Sequence, residues 1–437
     1  MKNKPRRRHP QKPILSGPIH EFSVEDLSHE AKGVARLDGK VTFIEGALPG
    51  EVVSAQIFKQ NKSFNLAKLK SIIQASPSRI APPCPHFQQC GGCSFQHLNA
   101  KEQQQTKHRW LSKQLRKVLH TVTLEILIDQ DMAYRRRARL AITYRNGRVS
   151  LGFRGKGSSE IVDISTCLVL TPRLQSLYTQ LRVSLLQDVL AAKMGHIELL
   201  EDSRGTCMVM RLTADISAQE QQRWQHWATE HDTLIYWQYP RDKQADATKH
   251  GLRSYTIEGF SLHFHPQDFI QINAKMNEKM VAQALQWLAP NKDDVILDLF
   301  CGVGNFSLPL AKQAKTVVGV EIQESMVAAG KQNAQLNNLN NLKFIAADLT
   351  QKVGSEISAL GVSKVMIDPP RAGAYEFLPT LVALNPQQIL YVSCDGATLA
   401  RDAEYLAEYD YRITKACMMD MFPQTAHLEC MLLFERV

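Results

Sequence analysis

Residues 298–307 read Asp298-Leu-Phe-Cys-Gly302-Val-Gly304-Asn-Phe-Ser307 and complete an apolar run, DVILDLF. A short apolar run bounded by a turn signal reads as a strand buried on both faces. Two glycines one residue apart let the backbone turn tightly and approach a ligand. Four more runs follow, TVVGVE, LKFIAAD, KVMIDPP and QILYVSC, each separated from the last by a helical segment. This alternation implies an α/β domain over residues 266–437, a parallel sheet with helices on both faces. Two final segments, ITKACMMD and LECMLLFE, are joined by a short loop and read as a hairpin. An antiparallel strand at that end sets the sheet apart from a plain dinucleotide fold. The third glycine of a dinucleotide fingerprint is also missing, because position 307 is Ser.

Ligands of open α/β sheets sit beyond the carboxyl ends of the strands. The second strand ends in Glu321, suited to ribose hydroxyls, and the third in Asp348, suited to an adenine edge. Either acid alone could equally be a helix cap. Acidic strand ends in register with a Gly turn resemble the S-adenosylmethionine site of a class I, Rossmann-like methyltransferase. The fourth strand ends Ile367-Asp368-Pro369-Pro370-Arg371, and two prolines make the loop leave the sheet at once. The fifth ends Val392-Ser393-Cys394-Asp395. Most cysteines are buried filler, but one at a strand terminus beside the ligand crevice is a candidate nucleophile. The last strand opens His427-Leu428-Glu429-Cys430, where a carboxylate alternates with apolar neighbours and can face the same cleft. It could also be an edge charge with no role.

One reaction uses all of these parts. C5 of uracil is a poor nucleophile until a thiolate adds at C6 and creates an enolate. C5 can then accept a methyl group, after which its proton must leave so that the thiolate is expelled. Cys394 fits the nucleophile, Glu429 the general base and Asp368 the group that orients the uracil edge. His427 is the rival base. Glu429 is preferred here because a carboxylate is ordinarily ionised at neutral pH.

DLFCGVGNFSLPLA, IDPPRAG, YVSCD and HLECMLLFER, in this order, resemble the RNA uracil-C5-methyltransferases. The resemblance implies a nucleophile at Cys394 and a proton acceptor at Glu429. It also implies S-adenosylmethionine contacts at Gln271, Phe300, Asn305, Glu321, Asp348 and Asp368. One departure is Asp395-Gly396, where the family usually has Asn-Pro; the chemistry is expected to be unaffected.

The upstream half has a different texture. The chain has 437 residues and a net charge of +9, which points to several domains and suits a polyanionic partner. Residues 1–13 hold six Lys and Arg and no acid, with no apolar run after them, so they read as a basic arm and not a secretory signal. No stretch approaches the ~20 apolar residues of a membrane span. Residues 14–73 carry short strands, HEFSVEDL, GKVTFIEG, GEVVSAQIF and LAKLKSII, with turns at Asp38-Gly39 and Pro49-Gly50. They suggest a small OB-like β-barrel. Residues 74–265 form a central α+β region that opens on the linker QASPSRIAPP. Residues 99–120 are expected to be helical, with Trp110, Leu111, Leu115, Val118 and Leu119 on one stripe. Further β-like segments extend to about Phe264. Arg135, Arg136, Arg137, Arg139, Arg145, Arg148, Arg154 and Lys156 lie there among Tyr134, Tyr144 and Phe153, a mixture suited to RNA phosphates and base stacking.

Cys84-x5-Cys90-x2-Cys93 supplies three soft ligands, and a metal centre needs a fourth. Spacing alone leaves iron–sulfur, zinc and no metal open, with Cys167 and Cys207 as fourth candidates. The family resemblance narrows this. The subgroup acting on 23S ribosomal RNA has an N-terminal TRAM barrel, then this cysteine pattern and a distant Cys holding a [4Fe-4S] cluster, and Cys84, Cys90, Cys93 and Cys167 match. Its post-cysteine helix packs on the catalytic domain, so residues 99–120 are expected there in space. A radical S-adenosylmethionine enzyme is disfavoured, because its cysteines run CxxxCxxC. Nine cysteines without a secretory signal fit reduced thiols in the cytoplasm. The expected partner is 23S ribosomal RNA, without a membrane, and the absence of heptads suggests a monomer. Two other readings compete: the same chemistry on tRNA, disfavoured because the resemblance implies that tRNA-directed relatives lack both the barrel and the cluster, and an RNA-binding protein with an inactive methyltransferase domain.

Overall fold

Alternate residues along the C-terminal strands feed two different cores. Ile296, Val317, Met366 and Leu390 belong to one, and Leu297, Val318, Val365 and Ile389 to the other. Residues two apart in a strand share a face, so both faces of this sheet are covered. The structure, a computed structural model, describes residues 17–351 and 360–437. The basic arm of residues 1–13 lies outside the described residues. The strands are β1 (Leu124–Leu127), β2 (Val295–Leu299), β3 (Thr316–Glu321), β4 (Leu342–Ala346), β5 (Lys364–Ile367), β6 (Gln388–Ser393), β7 (Tyr411–Met419) and β8 (Glu429–Arg436). Their order across the sheet is β4-β3-β2-β5-β6-β8-β7-β1. β2 to β6 run parallel, and β8 is antiparallel to β6 and β7. The expected hairpin is present. β1, which the sequence reading did not contain, adds parallel to β7 through Ala416–Met419.

The chain divides into two compact units. One comprises residues up to Pro83 with Ser94–Thr106, and the other Cys84–Cys93 with Lys107–Val437. The helix Ala100–Gln114 is shorter than the expected 99–120. Leu111 in its last turn, and Leu115, Val118 and Leu119 just beyond its end, lie in the core shared by Leu299 and Tyr391.

The first unit holds a six-stranded sheet ordered Ile19–Ser23, Val52–Gln60, Phe64–Gln74, Lys40–Glu45, Lys32–Leu37, Asp26–Leu27. Phe22, Ala35, Ile44, Val53, Ala55 and Ala67 form its small core. Lys32–Leu37 is a strand the sequence reading missed. It pairs with Lys40–Glu45 across Asp38-Gly39, both at positive φ (50° and 79°), as the favoured two-residue hairpin turn requires.

A second six-stranded sheet lies in the larger unit, ordered Ile161–Asp163, Arg148–Arg154, Arg137–Arg145, Met194–Asp202, Gly205–Leu212, Thr233–Gln238. Two helices pack on it, Pro172–Leu186 through Leu174, Tyr178 and Leu181, and Ala218–Glu230 through Trp224 and Ala228. The expected run of β-like segments is therefore interrupted twice. Pro172 opens the first helix, and Ser217 and Glu220 form a reciprocal capping box at the second. No described helix is long and apolar enough to cross a membrane.

Candidate active site and nucleic-acid face

β2 ends at Leu299, and the next residue turns sharply. Phe300 has φ 61°, a left-handed conformation costly for a bulky residue, and Gly302 and Gly304 follow at 57° and 102°. A Cβ on Gly304 would lie 2.4 Å from Leu308 Cδ1 and 3.0 Å from Phe344 Cζ, so only glycine fits. Glu321, at the end of β3, accepts from the Gly302 N–H (3.2 Å) and the Gln323 N–H (3.0 Å). The turn and the acid thus form one crevice edge. Gln271 is buried, and its carbonyl accepts from Arg136 Nε at 2.8 Å.

Two expected contacts are engaged locally. Asn305 Oδ1 accepts from Tyr255 Oη (3.0 Å) and Asn277 Nδ2 (2.9 Å), and its Nδ2 donates to Asn277 Oδ1 (3.0 Å). Asp348 accepts from Thr350 Oγ1 (2.7 Å) and the Thr350 N–H (2.9 Å), which hold its carboxyl below the usual range. A residue absent from the expected set is Asp298. It is fully buried, Ser307 Oγ donates to its Oδ2, and its Oδ1 has no partner among the described residues. Burial pushes this carboxyl up to about 7.

The candidate reacting residues come together at the ends of β5, β6 and β8. Ser393 lies opposite Cys430 in the β6/β8 ladder, so the next position brings Cys394 beside Glu429. Asp395 then caps the helix Gly396–Ala407, accepting from the N–H groups of Ala397 and Thr398 at 3.0 Å each. Burial first, then the charges of Glu429 and Asp368, push the Cys394 thiol up to about 11, and Arg371 opposes them. Burial and then Asp368 raise Glu429 well above the usual carboxylate range, again opposed by Arg371. Burial pushes Asp368 to about 7. The ground for preferring Glu429 over His427, that a carboxylate stands ionised at neutral pH, is therefore corrected. Two acids buried together cannot both readily stay charged, so burial beside Asp368 favours the protonated form of Glu429. Arg371 Nη2 lies 3.3 Å from His427 Nδ1, and burial followed by Arg371 keeps that imidazole below its ordinary pKa.

The arginine run splits into inward and outward members. Arg136 is buried over the Tyr255 ring at 4.9 Å, and Arg137 donates to Glu198 Oε2 at 2.9 Å. On the sheet face opposite the two helices, Arg139, Arg154 and Arg211 stay exposed around His196. Burial and then these three charges lower the His196 pKa. Arg211 and His196 were missed because only the pairing of His196 with Arg211 brings them together.

The loop of Cys84, Cys90 and Cys93 is pinned to the same sheet's edge. The Gly91 N–H donates to Arg154 O at 2.9 Å, and the Lys156 N–H to Gln89 O at 3.0 Å. His86 Nε2 and Ser165 Oγ, 2.9 Å apart, tie it to the turn before Cys167. Burial raises the Cys90 and Cys167 thiols; Cys84 adds to the first shift and Cys90 to the second. Among the described residues no group of three or more His, Cys, Asp or Glu side chains has the geometry to hold a metal ion. Cys207, the other fourth-ligand candidate, is packed in the large core beside Val209 and Tyr236.

The family model described as tRNA (uracil-5-)-methyltransferase matches residues 99–437, and the TRAM domain model matches residues 17–70. The chain is 53% identical to a 23S rRNA (uracil(1939)-C(5))-methyltransferase RlmD of Marinomonas posidonica over 436 residues, all of both chains. It is 41% identical to the protein of the same name from Aeromonas hydrophila, over 98% of each chain. The crystal structure of Pyrococcus abyssi tRNA (uracil-54, C5)-methyltransferase in complex with S-adenosyl-L-homocysteine covers 95% of this chain and all of its own, with TM-score 0.76 and 24% identity. A tRNA enzyme with the same overall fold corrects one expectation: the barrel does not separate ribosomal from transfer RNA enzymes.

Proposed function

From the premise that the chain belongs to the tRNA (uracil-5-)-methyltransferase family, we propose that it methylates C5 of a specific uridine in 23S ribosomal RNA. The RNA assignment rests on full-length relatives at 53% and 41% identity that carry that name. The observation that carries the chemistry is the β6/β8 register, which makes Cys394 and Glu429 neighbours beside Asp368 and Arg371. The uridine is expected to leave its stack to reach them.

Cys394 loses its proton to solvent, its sulfur bonds to C6, and the C5–C6 π pair moves toward O4 as an enolate. Arg371 is the nearby positive charge that favours the thiolate. Asp368, its carboxyl pushed up to about 7 by burial, can donate to a uracil carbonyl when protonated or accept from N3–H when ionised. S-adenosylmethionine, when bound, supplies the electrophilic methyl group. Glu429, in its ionised form, then takes the C5 proton, the C5–H pair re-forms the C5–C6 double bond, and the C6–S bond breaks with the sulfur leaving with its electron pair. Gln271, Phe300, Asn305, Glu321, Asp348 and Asp368 are proposed to line the S-adenosylmethionine crevice. For Asn305, Glu321 and Asp348 this requires contact beyond the bonds they already make.

Cys84, Cys90, Cys93 and Cys167 are proposed to hold a [4Fe-4S] cluster. Support comes from the mutual charge effects of Cys84, Cys90 and Cys167, and from the pinning of their loops. A multi-iron cluster spaces its thiolates more widely than one ion does, and its contribution here would be to cross-link the two loops. A brown, visible-absorbing purified protein supports this reading; a colourless one with bound zinc overturns it.

The first experiment uses ribosomal RNA fragments carrying 5-fluorouridine at candidate sites, with S-adenosylmethionine. Fluorine cannot leave as a proton does, so an adduct should survive denaturation in wild type and be absent from Cys394→Ala. An adduct formed with tRNA alone would replace the ribosomal assignment with a transfer RNA one. No adduct with any fragment or with whole large-subunit RNA would overturn the covalent mechanism.

A further inference from the structure

Resting on the reading of Glu429 as general base, we infer that Tyr134 is a positioning residue for it, holding the loop that delivers Glu429 to the uracil.

Glu429 is the first residue of β8, and the nine residues before it form the loop from β7. Nothing in the repeating sheet ladder fixes such a loop, so side chains must. Lys107 Nζ donates to Asp420 Oδ1 (2.7 Å) and Phe422 O (3.0 Å) at its start. Asn273 Nδ2 donates to Met421 O at 3.3 Å. Tyr134 Oη donates to Pro423 O at 2.9 Å, in the interior of the loop. Tyr134 is 3% exposed. Burial raises its phenol pKa, so the O–H stays a donor throughout the working pH range.

The other end of the strut is equally fixed. The Ala133 N–H donates to Leu168 O at 3.0 Å and the Arg135 N–H to Val169 O at 2.8 Å, immediately after Cys167. The Arg136 N–H donates to Ile272 O at 2.9 Å. Residues 133–136 therefore bridge three features: the segment after the fourth cysteine, the Gln271 segment and the Glu429 loop. A hydroxyl at the centre of that bridge sets where Glu429 sits without touching substrate.

Tyr134→Phe removes one hydrogen bond and keeps the ring packing. Losing it should lower turnover about fivefold, with melting temperature and KM for RNA near wild type. The distinctive readout is the Cys394 adduct on RNA with natural uridine. Slower proton removal should make that adduct accumulate during turnover, while trapping by 5-fluorouridine RNA, which needs no base, keeps its wild-type rate. Wild-type turnover and adduct level in Tyr134→Phe would overturn the inference. So would an equal slowing of trapping and turnover, the mark of a merely structural role. If Tyr134→Phe does not fold, Asp131→Ala decides, because Asp131 Oδ2 accepts from Gln424 Nε2 (3.3 Å) on the same loop. Adduct accumulation there supports loop positioning, and wild-type behaviour overturns it. Should wild type itself trap no adduct, the uracil reading fails first, separately from the role of Tyr134.

Discussion

As the proposed general base, Glu429 would be stronger than an exposed carboxylate and less available. Burial and Asp368 raise its pKa, so rising pH should favour its acting form. Cys394, pushed to about 11, is limited in the same direction. Both groups act deprotonated, so kcat/KM should climb at least about tenfold from pH 6 to pH 9; a flat profile would remove either group from the rate-limiting path. Glu429→Gln should leave adduct formation intact and cut turnover about 10²–10⁴-fold, with adduct visible on natural uridine by denaturing gel. Asp298 gives a stability counterpart. Its carboxyl keeps a proton to about 7 when folded and loses it near 4 when unfolded. Folding thus takes up a proton between those values, and stability is lost as pH rises from 4 to 7. Asp298→Asn should stabilise more at pH 8 than at pH 5, by about 1–2 kcal/mol in denaturant titrations; a gain independent of pH would contradict this. Cys394, Glu429 and Asp368 could be picked out of the sequence as candidates because each lies where a strand ends or begins at the crevice. Their protonation was not, because it depends on neighbours brought together by β5, β6 and β8 pairing.

At the scale of elements, what the sequence revealed depended on how local the stabilising pattern is. The repeating strands and helices after Val295 carry their own periodicity, and the Asp38-Gly39 hairpin its own turn residues. β1 carries neither: four residues, two of them exposed, are a strand only because β7 offers an open edge. The helices Pro172–Leu186 and Ala218–Glu230 did carry signals, Pro172 at a first turn and the Ser217/Glu220 box, that a β-weighted reading overrode. The helix Ala100–Gln114 shows the cost of non-local fixing most directly. Lys107, fully buried, pairs with Asp420 from a strand end more than three hundred residues away. Burial lowers the Lys107 pKa despite that partner. Lys107→Met leaves a carboxylate buried alone and should destabilise by about 3–5 kcal/mol, whereas Lys107→Met with Asp420→Leu should recover most of it. Equal losses in the single and double variants, measured by chemical denaturation, would show that the pair contributes packing and not charge compensation.

At the scale of the molecule, the candidate catalytic crevice and the candidate RNA face lie on different sheets. The candidate crevice belongs to the eight-stranded sheet, while Arg139, Arg154 and Arg211 are exposed on the central one. That separation makes their contributions separable by experiment. Arginines that neutralise phosphates release counterions, so each contact adds about 0.7 to the slope of log affinity against log salt for single-stranded RNA. Replacing all three by alanine should reduce that slope by about 2 and weaken binding most at low salt. Turnover at saturating RNA should remain near wild type, because none of the three approaches Cys394 or Glu429. Replacing Arg136 should behave otherwise, since it is buried against Tyr255 and bonded to Gln271 O. Its loss should lower the melting temperature and affinity for S-adenosylmethionine without removing a unit of salt slope. A triple variant with an unchanged slope would move the phosphate contacts off this face. A lost unit of slope in the Arg136 variant would mean that the buried guanidinium becomes exposed when RNA binds.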